Sequence, residues 1–212
     1  SYTASKIPTN PLASPQSIAK ASPFTGVISG SSGNDYFSGT NNDGYACVID
    51  AILVDRQGDN TLDVAASSAW NGGIIQNSKI TFGSGNDSIK AFISRGGGYQ
   101  LGLLGSDIDL GSGDNNIDVN FTQASDVDNR RSYGIQGSSV KAGNGNDIIK
   151  ILMRSMGSPS DGINCGINGT VSIGDGDNNI SIDILGSRNT DRTYGISGSS
   201  VTTGNGNDSI NI

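Results

Sequence analysis

Gly143-Asn144-Gly145-Asn146-Asp147-Ile148-Ile149 decides the fold, because the same phrase keeps returning along the chain. It reads Gly83-Ser84-Gly85-Asn86-Asp87-Ser88-Ile89 and Gly111-Ser112-Gly113-Asp114-Asn115-Asn116-Ile117 upstream. Downstream it reads Gly174-Asp175-Gly176-Asp177-Asn178-Asn179-Ile180 and Gly204-Asn205-Gly206-Asn207-Asp208-Ser209-Ile210. Two looser copies precede these, Ser32-Gly33-Asn34-Asp35-Tyr36-Phe37 and Gly58-Asp59-Asn60-Thr61-Leu62. The glycine before each polar pair stands at 33, 58, 85, 113, 145, 176 and 206, so the intervals are 25, 27, 28, 32, 31 and 30 residues. A repeat of that length is the mark of a solenoid, in which each unit buries its apolar face only by stacking on its neighbours.

Working outward from the phrase, apolar residues alternate with others just after each polar pair. They are Leu62 and Val64; Ile89, Ala91 and Ile93; Ile117, Val119 and Phe121; Ile149, Ile151 and Met153; Ile180, Ile182 and Ile184; Ile210 and Ile212. Period two means a strand with one buried face. A second short strand precedes each Gly-x-Gly and buries Ile52 and Val54, Ile80 and Phe82, Ile108 and Leu110, Val140 and Ala142, Val171 and Ile173, and Val201. A third piece comes before that: Tyr133-Gly134-Ile135-Gln136-Gly137-Ser138, Cys165-Gly166-Ile167-Asn168-Gly169-Thr170 and Tyr194-Gly195-Ile196-Ser197-Gly198-Ser199, with Tyr99-Gln100-Leu101-Gly102-Leu103 as a weaker version. Three strands per turn, stacked in register, predict an all-β parallel β-helix (β-solenoid) of about seven coils over residues 26–212, each coil of about 25–32 residues. Its core would be columns of Ile, Val and Leu, each worth about 1.5–3 kcal/mol when buried.

The outward positions test this register. The column after the polar pair runs Asp63, Lys90, Asp118, Lys150, Ser181, Asn211, so opposite charges meet from coil to coil. On the preceding strand Lys79 would face Asp107, and Asp109 would face Lys141. Like charges in one column would repel. The polar pair alternates too, from Asn34-Asp35 and Asp59-Asn60 to Asn207-Asp208, which sets each Asp beside an Asn of the next coil. A carboxylate can accept from an amide there. The structural repeat is therefore a pair of coils.

Residues 1–25 hold four of the five prolines, Pro8, Pro11, Pro15 and Pro23. Proline lacks the donor that a central strand needs. This segment reads as an extended arm or linker, either a disordered leader or an arm lying along a neighbour or over the first coil. Cys47 and Cys165 lie about four coils apart, or ~19 Å at the usual strand spacing. A disulfide needs Cα atoms within about 7 Å, so no bridge within the chain is expected; buried small residues or a contact between subunits are the two readings.

Composition narrows the function. All 20 acidic residues are Asp, there is no Glu or His, and 32 residues are Gly. Helix formers are scarce and turn formers abundant. The net charge of −7 disfavours nucleic acid, since a phosphate binder needs a basic face. No apolar run is long enough to span a membrane as a helix. Without His the commonest general acid–base and the usual triads are absent, and no enzyme activity is expected. Arg95, Arg130, Arg131 and Arg192 fall in the loops before the third strand. Arg131, Tyr133, Arg192 and Tyr194 could form a sugar-binding strip; solvated loop charges with a corner Tyr are the plainer reading. Trp70, in a Gly-rich loop, reads as local packing.

The phrases resemble the haemolysin-type calcium-binding repeat of RTX proteins, Gly-Gly-x-Gly-x-Asp-x-apolar-x. Gly30-Ser31-Ser32-Gly33-Asn34-Asp35-Tyr36-Phe37-Ser38 is the nearest match, and Gly83 to Ile89, Gly143 to Ile149 and Gly204 to Ile210 match its second half. The resemblance implies secretion and calcium held in the turns by Asp and backbone carbonyls. Carried over by position, it makes Asp35, Asp87, Asp147 and Asp208 the first candidate calcium ligands, with Asp59, Asp114 and Asp177 second. The chain departs from the family in its period, near thirty rather than nine, and in the one-place shift of Asp in alternate coils. The competing reading makes Asn and Asp turn residues in hydrogen-bonded ladders.

Two functions follow. The array reaches Ile212 inside a strand with no capping sequence, and solenoids normally cap an end that exposes unpaired backbone. Head-to-tail contacts that do not close give filaments. The first expectation is thus a secreted bacterial protein at the cell surface that stacks on itself into a fibre, sheath or surface layer. The alternative is a calcium-dependent adhesin or a module that binds polysaccharide. A carbohydrate-active enzyme would need converging carboxylates that the sequence does not reveal, and an ice-binding face would need a regular Thr ladder that is missing.

Overall fold

The computed structural model describes residues 17–20, 23–41, 46–66, 72–94, 96–122, 124–154, 163–185 and 192–212. Every strand pairing among them is parallel, and none of them forms an α-helix. The expected β-solenoid is the fold.

One sheet carries the strands that follow the polar pairs: β1 (Ser17–Lys20), β3 (Tyr36–Asn41), β5 (Thr61–Ala66), β8 (Ser88–Ile93), β11 (Asn116–Phe121), β13 (Ile148–Arg154), β15 (Asn179–Leu185) and β18 (Ser209–Asn211), in that spatial order. The opposing sheet holds β2 (Phe24–Ser29), β4 (Val48–Gln57), β6 (Gly72–Gln76), β7 (Lys79–Ser84), β9 (Gly96–Leu104), β10 (Asp107–Asp109), β12 (Ala124–Ala142), β14 (Ile163–Ile173), β16 (Thr193–Ile196) and β17 (Ser200–Thr202). The expected three faces are thus two hydrogen-bonded sheets. The second and third pieces of each repeat share one sheet and run together as a single bent strand in β12 and β14. The bend falls at a register shift between Gln136 and Ser139.

The register follows the sequence in detail. Leu62, Ile89, Ile117, Ile149, Ile180 and Ile210 stack in one column, and Val64, Ala91, Val119, Ile151 and Ile182 in the next. All but Ile210 are buried in a single core. The outward column Asp63, Lys90, Asp118, Lys150, Ser181, Asn211 is also in register. Lys79 and Asp107 close to 3.8 Å as an exposed ion pair. Gly102, Gly134, Gly166 and Gly195 face Val119, Ile151, Ile182 and Ile212 across the core; a Cβ on any of these glycines would lie within 2.6 Å of the facing side chain.

Three expectations change. Ser17–Lys20 is a strand parallel to β3 and β2 begins at Phe24, so the solenoid reaches into the segment expected as an arm; residues 1–16 lie outside the described residues. In β4 Leu53 and Asp55 register with the inward Ile80 and Phe82, while Ile52 and Val54, both buried as expected, register with the outward Lys79 and Thr81. The run Ala51-Ile52-Leu53-Val54 is apolar throughout, so period two could not phase it. In the third piece Leu101, not Tyr99, takes the place of Tyr133. Cys47 and Cys165 are both free and buried, and burial pushes their thiols up to about 11. Trp70 lies outside the described residues.

Candidate functional site

The seven candidate aspartates all lie at the corner where each Gly-x-Gly turns the chain from one sheet into the other. In-register stacking sorts the polar pairs into two columns. The inner column is Asp35, Asn60, Asp87, Asn115, Asp147, Asn178, Asp208; its first six members are buried. The outer column is Asn34, Asp59, Asn86, Asp114, Asn146, Asp177, Asn207, and it is exposed.

Both columns are continuous hydrogen-bond ladders, and they run in opposite directions. In the inner one each backbone N–H donates to the side-chain Oδ1 of the following coil: Asp35 to Asn60 at 3.0 Å, Asn60 to Asp87 at 2.8 Å, Asp87 to Asn115 at 3.0 Å, Asn115 to Asp147 at 2.9 Å, Asp147 to Asn178 at 3.0 Å and Asn178 to Asp208 at 3.1 Å. In the outer one each N–H donates to the preceding coil: Asp59 to Asn34, Asn86 to Asp59, Asp114 to Asn86, Asn146 to Asp114, Asp177 to Asn146 and Asn207 to Asp177, at 2.7 to 2.9 Å. Turn amides that a sheet cannot pair are thereby satisfied by side chains. A buried amide left unpaired would cost about 1–3 kcal/mol.

The inner asparagines do more. The Nδ2 groups of Asn60, Asn115 and Asn178 donate to the carbonyls of Gly58, Gly113 and Gly176, two residues back in their own turns, at 3.1, 2.9 and 3.1 Å. Asn115 and Asn178 also donate to Oδ1 of Asp147 and Asp208. The glycine before the polar pair is required by contact. At Gly145, with φ of 147°, a Cβ would lie 2.1 Å from the carbonyl oxygen of Gly113 in the coil below.

Calcium would need about six to eight oxygens around one point. The carboxylates of one column stand two coils apart, about 9.6 Å at strand spacing, with an amide between them. In the inner column Asp87, Asp147 and Asp208 each have one oxygen taken by a backbone N–H, as do Asp59, Asp114 and Asp177 in the outer one. Among the described residues no group of three or more His, Cys, Asp or Glu gathers where it could hold a metal ion. The seven carboxylates are thus spread along two columns rather than gathered at one point, and the second oxygens of Asp87 and Asp147 are buried with no hydrogen-bond partner.

Sequence reasoning missed Asp55. It is buried and fills, in the core column of Phe82, the space left by Gly30, where a Cβ would lie 2.0 Å from its Cγ. Burial raises its pKa to about 8, helped by the hydrogen bond and charge of the neighbouring Asp35 and by the charge of Asp87. The Gln57 amide works the other way. Asp35 is held on its other side by Ser31, whose N–H and Oγ both donate to it. An Asp directly after an apolar run gives no sequence signal for this pair, since period two leaves its face undecided.

A second ladder was also missed, at the bend of the opposing sheet. Ser78, Ser106, Ser138 and Ser199 each donate Oγ to the carbonyl two residues back. Each also accepts a backbone N–H from the preceding coil, from Ala51, Ser78, Ser106 and Gly169 respectively. Its signal is a Gly or Asn before each Ser, as in Gly137-Ser138 and Gly198-Ser199. Of the four residues of the sugar-strip reading, Arg131, Arg192 and Tyr194 are exposed, while Tyr133 packs with Leu101 and Cys165 and leaves 8% of its surface exposed. The outer face of the first sheet has a shallow groove of about 270 Å³ lined by Asp63, Ala65, Lys90, Phe92, Asp118 and Asn120.

Comparison with protein-family models, with characterised proteins and with solved structures found no match.

Proposed function

We propose that the protein is a structural solenoid that stacks head to tail into an extracellular fibre, sheath or surface layer of a bacterium. The observation that carries this reading is the pair of opposed ladders. From Asp35 to Asp208 each coil meets the next through backbone donors and side-chain oxygens at 2.7 to 3.1 Å, beside the same apolar columns. A coil from a second copy could use the same backbone donors and side-chain oxygens, with Asp208 meeting Asp35 at the joint and Ser31 already donating to Asp35. A parallel stack without a cap has an edge strand and an open core section at that end. A contact between unlike ends repeats without closing, which gives a filament. The resemblance to secreted repeat proteins supports a place outside the cell.

The test is negative-stain electron microscopy of the purified protein, with calcium and then with chelator. Unbranched filaments one solenoid wide, lengthening with protein concentration and surviving chelation, are expected. Compact single particles at every concentration would sink the proposal. Filaments that dissolve in chelator would replace side-chain ladders by calcium as the stacking device.

A further inference from the structure

A column of alternating charge can be laid against its own copy in two symmetric ways, and only one of them is attractive. Asp63, Lys90, Asp118 and Lys150 follow one another on the outer face of the first sheet, in the adjacent strands β5, β8, β11 and β13. The lysines are exposed and the aspartates partly so. Inside the chain the alternation produces no ion pair: Lys79 and Asp107 pair at 3.8 Å on the other sheet, whereas neither Lys90 nor Lys150 does so among the described residues. Two copies packed by this face are related by a two-fold axis lying between the sheets. If the axis runs along the solenoids, every charge in the column meets its own copy, and all the pairs are like. If it runs along the strands, midway between β8 and β11, the order of coils is reversed. Asp63 then meets the second copy's Lys150, Lys90 meets its Asp118, and the same contacts recur on the far side of the axis, so all the pairs are unlike.

We propose that the outer face of the first sheet is a lateral contact between two copies of the chain, packed with their coils in opposite order and set in register by the Asp63–Lys150 and Lys90–Asp118 pairs. The rest of the face agrees. Asp183 comes opposite Thr40, and Arg154 opposite the end of β5, so no like charges meet. The same axis divides the sheet evenly, with β1, β3, β5 and β8 on one side and β11, β13, β15 and β18 on the other, so the two faces overlap along their whole length. Eight strands about 4.8 Å apart, each presenting about six residues of ~3.3 Å, give roughly 38 by 20 Å, or ~760 Å² on each copy, close to the ~800 Å² per partner of a standard interface. Beside the axis lies the shallow groove that holds Phe92, and the reversed order sets that ring opposite the second copy's Asn120 with the two Phe92 rings one strand apart. Charges on such a surface choose orientation and register more than they add affinity, and the contact is salt-sensitive. It goes beyond end-to-end stacking and uses a different surface, so each can exist without the other.

The experiment follows association of the full chain by sedimentation velocity and negative-stain microscopy, for wild type, for Lys90→Asp, and for Lys90→Asp with Asp118→Lys, with circular dichroism to show that each keeps the fold. It is run at ~0.1 M salt, where a Debye length of about 10 Å screens the net repulsion between copies but not the contacts, and at ~1 M, where about 3 Å screens the contacts too. Wild type should pair at ~0.1 M salt and part at ~1 M, a reading that needs no variant. Lys90→Asp sets carboxylates together on both sides of the axis and should raise the dissociation constant of the pair by at least about tenfold. The double variant brings unlike charges together again and should pair as wild type does. Copies in the same coil order slipped by one coil would also attract in wild type, but in the double variant they would set like charges together, so a double variant that fails to pair overturns the reversed order. Wild type that stays single at ~0.1 M salt, a pair that Lys90→Asp leaves unchanged, or a pair that tightens with salt overturns the contact itself. The readouts separate it from stacking. Filaments, each one solenoid wide, should lie side by side in pairs at ~0.1 M salt and singly at ~1 M; filaments always single leave stacking and overturn the lateral contact, whereas dimers that never lengthen leave the contact and overturn stacking.

Discussion

Gly145→Ala isolates the contact on which coil stacking depends. A Cβ at Gly145 would lie 2.1 Å from the oxygen and 2.5 Å from the carbon of the Gly113 carbonyl. That is roughly 1.5 Å inside the optimum for such a contact, and both partners are backbone, which no rotamer can move aside. The residue also has a φ of 147°, a region that costs a side-chain-bearing residue on the order of 1–3 kcal/mol. Opening the two coils to admit the methyl strains the bonds around it, Gly145 N–H to Asp175 O and Gly113 N–H to Asn144 O, both 2.9 Å. Two such bonds are worth about 1 kcal/mol each. The expected loss is therefore about 3–5 kcal/mol, or about 6–20 °C in Tm for a chain of this size. Gly137→Ala is the matched control: its φ of 56° is also left-handed, but its Cβ would meet nothing within 4 Å. It should cost only the backbone term, about 1–2 kcal/mol. Urea and thermal unfolding followed by far-ultraviolet circular dichroism measure both. Equal losses in the two variants would refute the reasoning, since backbone conformation alone would then account for the glycine.

Three further outcomes are expected. Asn115→Ala removes the acceptor of the Asp87 N–H and the donations of Nδ2 to Gly111, Gly113 and Asp147, and should cost about 2–4 kcal/mol in urea unfolding; Asn86→Ala, whose exposed Oδ1 takes the Asp114 N–H, should cost no more than about 1 kcal/mol because water replaces it. Asp55→Leu puts an apolar side chain in the column of Phe82. Asp55 holds its proton up to about pH 8 when folded, against 3.8, so its burden grows as pH rises between those values; the variant should gain about 1–3 kcal/mol at pH 8.5 and much less at pH 4, measured as Tm at each pH. Lys79→Ala breaks the 3.8 Å exposed pair with Asp107 and should change stability by less than about 1 kcal/mol, an effect that high salt abolishes.

Much of this architecture is legible in the residues because a solenoid repeats its evidence. One ambiguous strand such as Thr61–Ala66 says little, but its alternation lines up with that of Ser88–Ile93 and Asn116–Phe121, and the charges Asp63, Lys90 and Asp118 on the far side agree. The reasoning fails where a coil breaks its own pattern. Ala51 to Val54 is apolar at every position, so nothing local says which side faces inward, and the structure chooses the register that buries Asp55. The division of each repeat into three strands rather than two bent sheets fails for a related reason. Gly137 and Gly198 are as compatible with a strand end as with a bend inside a strand.

The candidate site was legible as a place but not as a chemistry. The Gly-x-Gly-polar-polar phrase points to a turn, and the Asp–Asn alternation points to contact between coils. What residue identity could not convey is direction: one column donates forward and the other backward. Nor could it convey that the inner column is dry and the outer one wet, because both members of the pair are drawn from the same two residue types. That difference of burial separates a ladder of buried, hydrogen-bonded side chains from a row of exposed ones.

Native-state amide hydrogen exchange tests the central claim most directly, because it reads each rung by residue. If opposed side-chain ladders join the coils, the turn amides of Asn60, Asp87, Asn115, Asp147 and Asn178, and those of Asp59, Asn86, Asp114 and Asn146 opposite them, exchange as slowly as the neighbouring core-strand amides and are released together on unfolding. If those amides exchange at the rate of an open turn while the strands stay protected, the corners are ordinary loops, and the ladder account of how this solenoid stands is wrong.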